Sequence, residues 1–294
     1  MEMTIMIILI CVLVFALMLY ALGFWSTHIY PAICPFRYQS SPDVYIPEAR
    51  KTSLHATMAS QYQLYKLIDG TVSDVEKIQS LTAWVHQLWL PHSSNSARSE
   101  NPLVIISRAQ KGEQFSRKDY STVLVHALMA IDIPTRKITL CTRDCAYRPT
   151  RSQYNGIEYF DRDHGKWVWL DEQYGVRLVQ GHEPLNVMEI KDAILNHHVI
   201  DICKNHHNID TEQYLAQLTP FLDVLIAQPM GQNRSFALVP PQLKFGKKKW
   251  GVGRKLYDVR CHSLISFYPG QTIKKSVVSQ PAPRSTGQNS CEGA

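Results

Sequence analysis

The sequence predicts an α+β fold in which a block of helices is followed by an antiparallel sheet. Apolar residues repeat at helical spacing through two long segments, 73–90 and 117–131. Beyond Pro134 the pattern changes to short runs separated by turn residues, the pattern of strands. A third observation stands apart from the body. Met3 to Trp25 holds one polar side chain, Thr4, and no charge. As a helix it would be about 34 Å long, enough for a bilayer core of about 30 Å.

The elements follow in order. Residues 1–27 are expected to form an uncleaved transmembrane anchor. The n-region carries Glu2 and no basic residue, and the run ends in bulky Leu22-Gly23-Phe24-Trp25 rather than a cleavage site. Residues 28–51, with prolines from Pro31 to Pro47, read as an extended linker. The body, 52–275, opens with a helix from Thr52 to Ile68. Ser73 and Glu76 form a capping box for the next helix, which carries Val75, Ile78, Leu81, Val85 and Leu88 at helical spacing. A short helix over Pro102–Gln110 is closed by Gly112. The helix from Arg117 carries Tyr120, Leu124, Leu128 and Ile131 on one face. Strands are predicted at Arg136–Thr142, Asn155–Asp161 and Lys166–Leu170, with His164-Gly165 as the turn between the last two. Helices return at Glu189–Asn196 and Thr211–Ile226. Strands over Phe236–Phe245 and Leu256–Tyr268 complete a C-terminal β extension. The Ser, Pro and Gly content of 276–294 predicts a disordered tail. Trp84, Trp89, Trp167 and Trp169 read as packing residues.

Charge narrows the function classes. The net charge of +6 comes from 31 basic and 25 acidic side chains. The segment Lys244 to Arg260 alone holds seven basic residues and one acid, Asp258, so the rest of the chain is close to neutral. A nucleic-acid binder with charge spread over one face is not indicated. Lys247-Lys248-Lys249, flanked by Phe245 and Trp250, reads as the tip of a basic hairpin, with anionic lipid headgroups as the alternative to plain solvation. Seven cysteines include no C-x-x-C pair. Cys141 and Cys145 are spaced for a small disulfide loop, but two unrelated thiols is the preferred reading.

The chemistry-bearing motifs lie between Leu81 and Ala193. They are Trp84-Val85-His86, then Glu100-Asn101-Pro102-Leu103, then Gly112-Glu113-Gln114-Phe115-Ser116 followed by Asp119-Tyr120-Ser121. Ile133-Pro134-Thr135-Arg136 comes next. Gly165-Lys166-Trp167-Val168-Trp169-Leu170-Asp171 and Pro184-Leu185-Asn186 with Glu189 complete the set. As a set, these residues resemble the transglutaminase-like superfamily, whose core shares its catalytic logic with papain-type cysteine proteases. The resemblance implies a Cys at a helix N-terminus, a His that takes and returns its proton, and an Asp that orients the His.

Set against that pattern, Arg117 stands at the position of the nucleophile. Glu158 and Trp167 keep the family spacing, and counting back four from Glu158 places Tyr154 where the His belongs. Asp171 alone is retained. A guanidinium cannot attack a carbonyl, and a phenol with a pKa of ~10 is a poor base at neutral pH. The expectation is a pseudoenzyme acting as a binding or scaffold module in a bacterial-type envelope. The alternative is an active acyltransferase or cysteine protease with a relocated nucleophile.

Two readings of the altered site follow. Arg117 at a helix N-terminus, beside Tyr154, suits a carboxylate or phosphate, such as a peptide carboxylate. The simpler reading folds Arg117 onto Asp171 and fills the cleft with a salt bridge, and it is preferred. A secondary cluster, His197-His198, Cys203 and His206-His207, offers His198, Cys203, His206 and His207 as metal ligands if Cys203 and His207 share a helix face. The spacing matches no zinc module, so neither a metal nor another cofactor is expected. The expected partners are the lipid bilayer and a protein or peptide, without nucleic acid. The chain is expected to be a single-pass membrane protein with its body on the periplasmic or extracytoplasmic side.

Overall fold

The computed structural model describes residues 2–24, 38–39, 41–89, 93–146, 148, 151–203, 209–241 and 256–269. Helix α1 covers Glu2–Phe24. Its described side chains, Thr4 to Tyr20, are all exposed. Among the described residues, no helix is long and apolar enough to cross a membrane. The transmembrane anchor expected over 1–27 is therefore not supported.

Residues 41–51 form no helix or strand, yet they pack on the body as more than a spacer. Ile46 is buried, and the backbone N–H groups of Asp43 and Val44 donate to Ser266 Oγ at 2.9 and 3.2 Å. The helix expected over 52–68 is two helices, α2 (Ser53–Gln61) and α3 (Leu64–Leu67). Gln63 breaks it by adopting a left-handed backbone, φ 49°. Helix α4 (Asp74–Leu88) starts at Ser73, whose side chain accepts from Glu76 N–H. The return half of the box is displaced by one residue, since Glu76 accepts from Val72 N–H at 2.7 Å. Helix α5 (Pro102–Ala109) is capped by Asn101 and has proline in its first turn.

Helix α6 (Arg117–Ala130) is the hub of the helical layer. Every residue from Asp119 to Ala130 is buried, not only the one expected apolar face. A helix enclosed on all sides must satisfy its polar groups internally. Thr122 donates to Lys118 O, and the His126 ring meets the His55 ring at 3.0 Å between nitrogens.

Six strands form the main sheet: β1 (Thr135–Cys141), β2 (Gln153–Asp161), β3 (Lys166–Leu170), β7 (Val224–Pro229), β8 (Phe236–Leu238) and β9 (Val259–Cys261). Their order is β3-β2-β1-β7-β8-β9, antiparallel except for the parallel pair β8–β9. A second sheet of order β5-β4-β6 is built from β4 (Arg177–Gln180), β5 (Glu183–Pro184) and β6 (Asp201–Cys203). The remaining helices are α7 (Val187–Leu195), α8 (Thr211–Leu218) and α9 (Leu264–Phe267).

The period-2 alternation of strands divides the core. Ile157, Tyr159, Val168 and Leu170 face the helical layer with Leu124, Leu128 and Phe115. Ile138, Leu140, Trp169, Leu225 and Ala227 face the opposite side with Val187, Ile190 and Tyr214. Trp169 and Trp89 are buried, and Trp84 and Trp167 pack at the margins, as packing residues should.

Two expectations are corrected here. The helix expected over 211–226 ends at Leu218, and Thr219–Phe221 forms a single 3-10 turn around Pro220. Val224–Pro229 is then a buried strand beside β1. The strand expected over Leu256–Tyr268 is a three-residue strand followed by α9. Because β9 runs parallel to β8, the two are not the arms of a hairpin. The basic cluster Lys247–Lys249 and the tail 276–294 lie outside the described residues.

A buried ion pair ties the C-terminal segment to the sheet. Arg136 Nη2 and Nε donate to Glu158 Oε2 at 2.7 and 3.0 Å, and Nη1 donates to Phe267 O at 2.7 Å. Glu158 Oε1 accepts from Tyr268 OH and from Val187 N–H. The guanidinium lies over Trp167, Phe267 and Tyr268 at 4.3–5.0 Å. Each guanidinium nitrogen and each carboxylate oxygen of this pair is engaged, the condition under which a buried ion pair is tolerated.

Candidate functional site: an ion-paired cluster at the head of α6

Three sequence positions converge here from three elements. Arg117 opens α6, Tyr154 lies on β2, and Asp171 follows β3. The Arg117 Nη2 atom is 2.6 Å from Asp171 Oδ1. Its guanidinium carbon sits 3.8 Å from the centroid of the Tyr154 ring. The Tyr154 hydroxyl in turn donates to Asp171 Oδ2. Cation, aromatic face and carboxylate thus close a triangle, combining a charge pair with a cation–π contact.

Asp171 is fully buried and amply satisfied. Oδ2 also accepts from Tyr214 OH at 2.9 Å, and Oδ1 accepts the backbone N–H groups of Gln173 and Tyr174 at 3.1 and 3.4 Å. The backbone of Asp171 bridges to Val176, which folds the turn that supplies these donors. Tyr214 is held by Trp169, whose Nε1 donates to its hydroxyl at 3.3 Å. Burial, reinforced by the Asp171 charge, pushes the Tyr154 and Tyr214 phenols up. Both therefore stay protonated donors and cannot serve as bases.

Glu172 completes the cluster. Its side chain is fully buried, Oε1 accepts from Ser121 Oγ at 2.7 Å, and the same oxygen lies 3.7 Å from Arg117 Nε. Oε2 has no hydrogen-bond partner among the described residues. Burial pushes the carboxyl up to about 7, with the Asp171 charge adding and Arg117 opposing. His86 Nε2 lies 2.5 Å from the Glu172 backbone oxygen, and its ring meets Tyr120 edge-on. Burial works against the charge on Arg117, but Asp171, Glu172 and Tyr154 outweigh it and hold the guanidinium charged.

Among the described residues, the cluster's one aliphatic hydroxyl, Ser121 Oγ, donates to Glu172 Oε1. Arg117 is spent on Asp171 and Tyr154, with its side chain only 17% exposed. Glu172, Tyr174 and Tyr214 were not singled out from the sequence. The one available signal was Glu172 following directly on Asp171. Tyr214 reaches the site through tertiary packing alone.

The other candidates do not converge. Cys203 ends a strand, and Arg177 Nη2 donates to its Sγ at 3.4 Å. The helix face that would join Cys203 to His207 is therefore not formed at Cys203. His206 and His207 lie outside the described residues, and His198 is exposed. Among the described residues, no group of three or more His, Cys, Asp and Glu side chains could hold a metal ion. Cys141 and Cys145 are buried free thiols.

Comparison with known proteins yields distant structural likeness only. No family model matches the chain, and no curated protein matches it. A candidate cysteine protease from Cytophaga hutchinsonii is similar over 53% of this chain and 50% of its own, at 16% identity and TM-score 0.34. Rad4–Rad23 bound to a 6-4 photoproduct UV lesion is similar over 60% and 41%, at 10% identity and TM-score 0.30. A Rad4/XPC nucleotide excision repair structure is similar over 60% and 42%, at 11% identity and TM-score 0.28. The chain thus spans half or less of the length of each of these structures.

Proposed function

We propose that the chain is a transglutaminase-like pseudoenzyme that serves as a binding or scaffold module. The observation that supports this reading is the seating of Arg117. A charged guanidinium occupies the head of α6, paired to Asp171 and covered by Tyr154, where an acyl-transfer enzyme needs a thiolate and an imidazole. The degenerate triad is then Arg117, Tyr154 and Asp171, with a structural rather than chemical role.

A relocated nucleophile would need a Cys or Ser within hydrogen-bond reach of a His. Ser121 is bonded to Glu172 instead. His55 meets Thr52 and His126, His164 meets Asp161, and His262 meets Val239 O. These partners favour the non-catalytic reading.

The test is an amide-hydrolysis and transamidation assay on the purified full chain in detergent. No turnover above background is expected. Turnover that disappears in Asp171→Asn would overturn the proposal. We also place the chain at a membrane with its body on the extracytoplasmic side, because the exposed apolar surface of α1 needs cover from water. Vesicle flotation of the full chain against a variant lacking residues 2–24 tests the association. Equal flotation of both would reject it. Protease accessibility in intact cells tests the side.

A further inference from the structure

Away from the Arg117 cluster, two histidines meet between α2 and α6. His55 and His126 are 1% and 8% exposed. Thr52 N–H donates to His55 Nδ1 at 2.9 Å, which closes a capping box at the start of α2. Glu or Gln ordinarily holds that third helical position and accepts the same bond. Here a titratable imidazole holds it.

The hydrogen bonds fix both tautomers. A neutral imidazole has one N–H and one basic nitrogen. His55 Nδ1 accepts, so the ring's proton is on Nε2, which donates to His126 Nδ1 at 3.0 Å. His126 Nδ1 is then an acceptor too. Each basic nitrogen of the pair is thus taken by an N–H donor. A proton added to His55 Nδ1 would confront Thr52 N–H, and one added to His126 Nδ1 would confront His55 Nε2–H. The pair cannot gain a proton without losing either the cap of α2 or its link to α6.

The surroundings also oppose the charge. Among the described residues, neither ring has a carboxylate partner. The charged groups around the pair are Lys51, just before α2, Lys137 on β1 and Glu100 on the loop before α5. Burial, with His55 and Lys137 adding and Glu100 opposing, lowers the His126 imidazole to about 3. Burial and Lys51 lower His55 as well.

α2 is held lightly enough to open by itself. It has nine residues and packs on α6, and of its side chains only His55, Met58 and Ala59 are buried. The chain is pinned on either side of it. Arg50 N–H donates to Met230 O at 3.0 Å and Lys51 pairs with Asp132, while beyond the break at Gln63 the side chain of Leu64 is fully buried. A short helix between two anchors, with few buried side chains, suits local opening.

We propose that the His55–His126 pair is an acid-sensitive latch, whose protonation releases α2 from α6 while the rest of the body stays folded. Release would uncover His126 and the seat of Met58.

The test is hydrogen exchange, read by mass spectrometry on the detergent-solubilised full chain at pH 7.5 and 5.0, with labelling times scaled to the intrinsic rates. An imidazole freed to titrate at its ordinary ~6.5 favours the open form about thirty-fold more at pH 5.0 than at pH 7.5. The amides of residues 56–61 are therefore expected to lose at least ten-fold in protection, with α4 and β1 unchanged. The double variant His55→Gln, His126→Gln keeps a capping-box residue at 55 and removes both titrating rings. Its α2 protection is expected to differ less than three-fold between the two pH values. Unchanged protection of α2 in wild type overturns the proposal, as does equal loss in α2, α4 and β1. An acid response that persists in the double variant also overturns it. Should that variant fail to fold, nitrogen-15 NMR of the wild-type histidines decides. Both rings are expected as Nε2–H tautomers at pH 7.5, and a proton on either Nδ1 refutes the latch.

Discussion

Replacing Arg117 by methionine should show what the ion pair at the head of α6 contributes. Methionine keeps the length of the stem and removes the charge. Asp171 is 0% exposed, so its carboxylate cannot recruit water when the guanidinium leaves. Removing one partner of a buried pair costs about 3–5 kcal/mol. The cation–π contact with Tyr154, at 3.8 Å, is part of that loss and is worth about 1 kcal/mol. Asp171 keeps four donors, from Tyr154, Tyr214, Gln173 and Tyr174, which argues for the lower end of the range. The expected loss is about 3 kcal/mol. At ~2–4 °C per kcal/mol for a domain of this size, the melting temperature should fall by about 6–12 °C. The assay is urea unfolding followed by tryptophan fluorescence, since Trp169 lies one bond from the cluster through Tyr214. The double variant Arg117→Met, Asp171→Asn should lose less than the two single losses summed, because it leaves no orphan charge. A loss below about 1 kcal/mol for Arg117→Met would refute the argument that this pair holds the site together.

Other consequences are open to measurement. Glu172 has its folded-state pKa raised to about 7, so its contribution is fully present below the unfolded value of ~4.5 and is lost as pH rises toward 7. Glu172→Gln should therefore flatten the stability profile between about pH 4.5 and 7, which denaturant midpoints at several pH values would show. His126 behaves oppositely: burial, with His55 and Lys137 nearby, lowers it to about 3, so its contribution is present above ~6.5 and is lost as pH falls. The wild type should lose about 2 kcal/mol at pH 5 from this source, and His126→Gln should remove that slope. Gly156 has no room for a methyl group, because a Cβ there would meet the Trp169 ring at 2.1 Å. Gly156→Ala should cost about 1–3 kcal/mol by overpacking, and Trp169→Phe should relieve part of it. A Gly156→Ala protein as stable as wild type would contradict the packing described.

Much of the fold was legible because its signals are local. Ser73, Asn101 and Pro102 mark helix starts by the bonds they make or cannot make. The strands from β1 to β3 follow from alternation and the turn at Gly165, where φ is 62°. What escaped was set by tertiary contacts. The run Val224 to Ala227 is apolar throughout, so its period does not separate a buried strand from the end of a helix. Only its pairing with β1 decides. The parallel pairing of β8 with β9 leaves no mark on either strand alone. At the site, the resemblance to the transglutaminase-like superfamily was what brought Arg117, Tyr154 and Asp171 onto one list, and they touch. Tyr214 lies 43 residues from Asp171, and no periodicity links the two. Glu172 was adjacent in sequence, but its burial against Ser121 depends on how α6 lies over the turn after β3.

The stitching of the body's first described residues to its last has a mechanical consequence. Gln39 N–H donates to His262 O, Asp43 accepts from His262 N–H at 2.6 Å, and Ser266 Oγ takes the next two N–H groups. Tension applied at Gln39 would therefore reach residues 262–266, the start of α9, before α2. From there it passes through Phe267 and Tyr268 to Arg136 and Glu158, in the middle of the sheet. The load meets several hydrogen bonds in parallel rather than one at a time. A pull on that leading end would thus load the Arg136–Glu158 pair and leave the cluster at the head of α6 off its path.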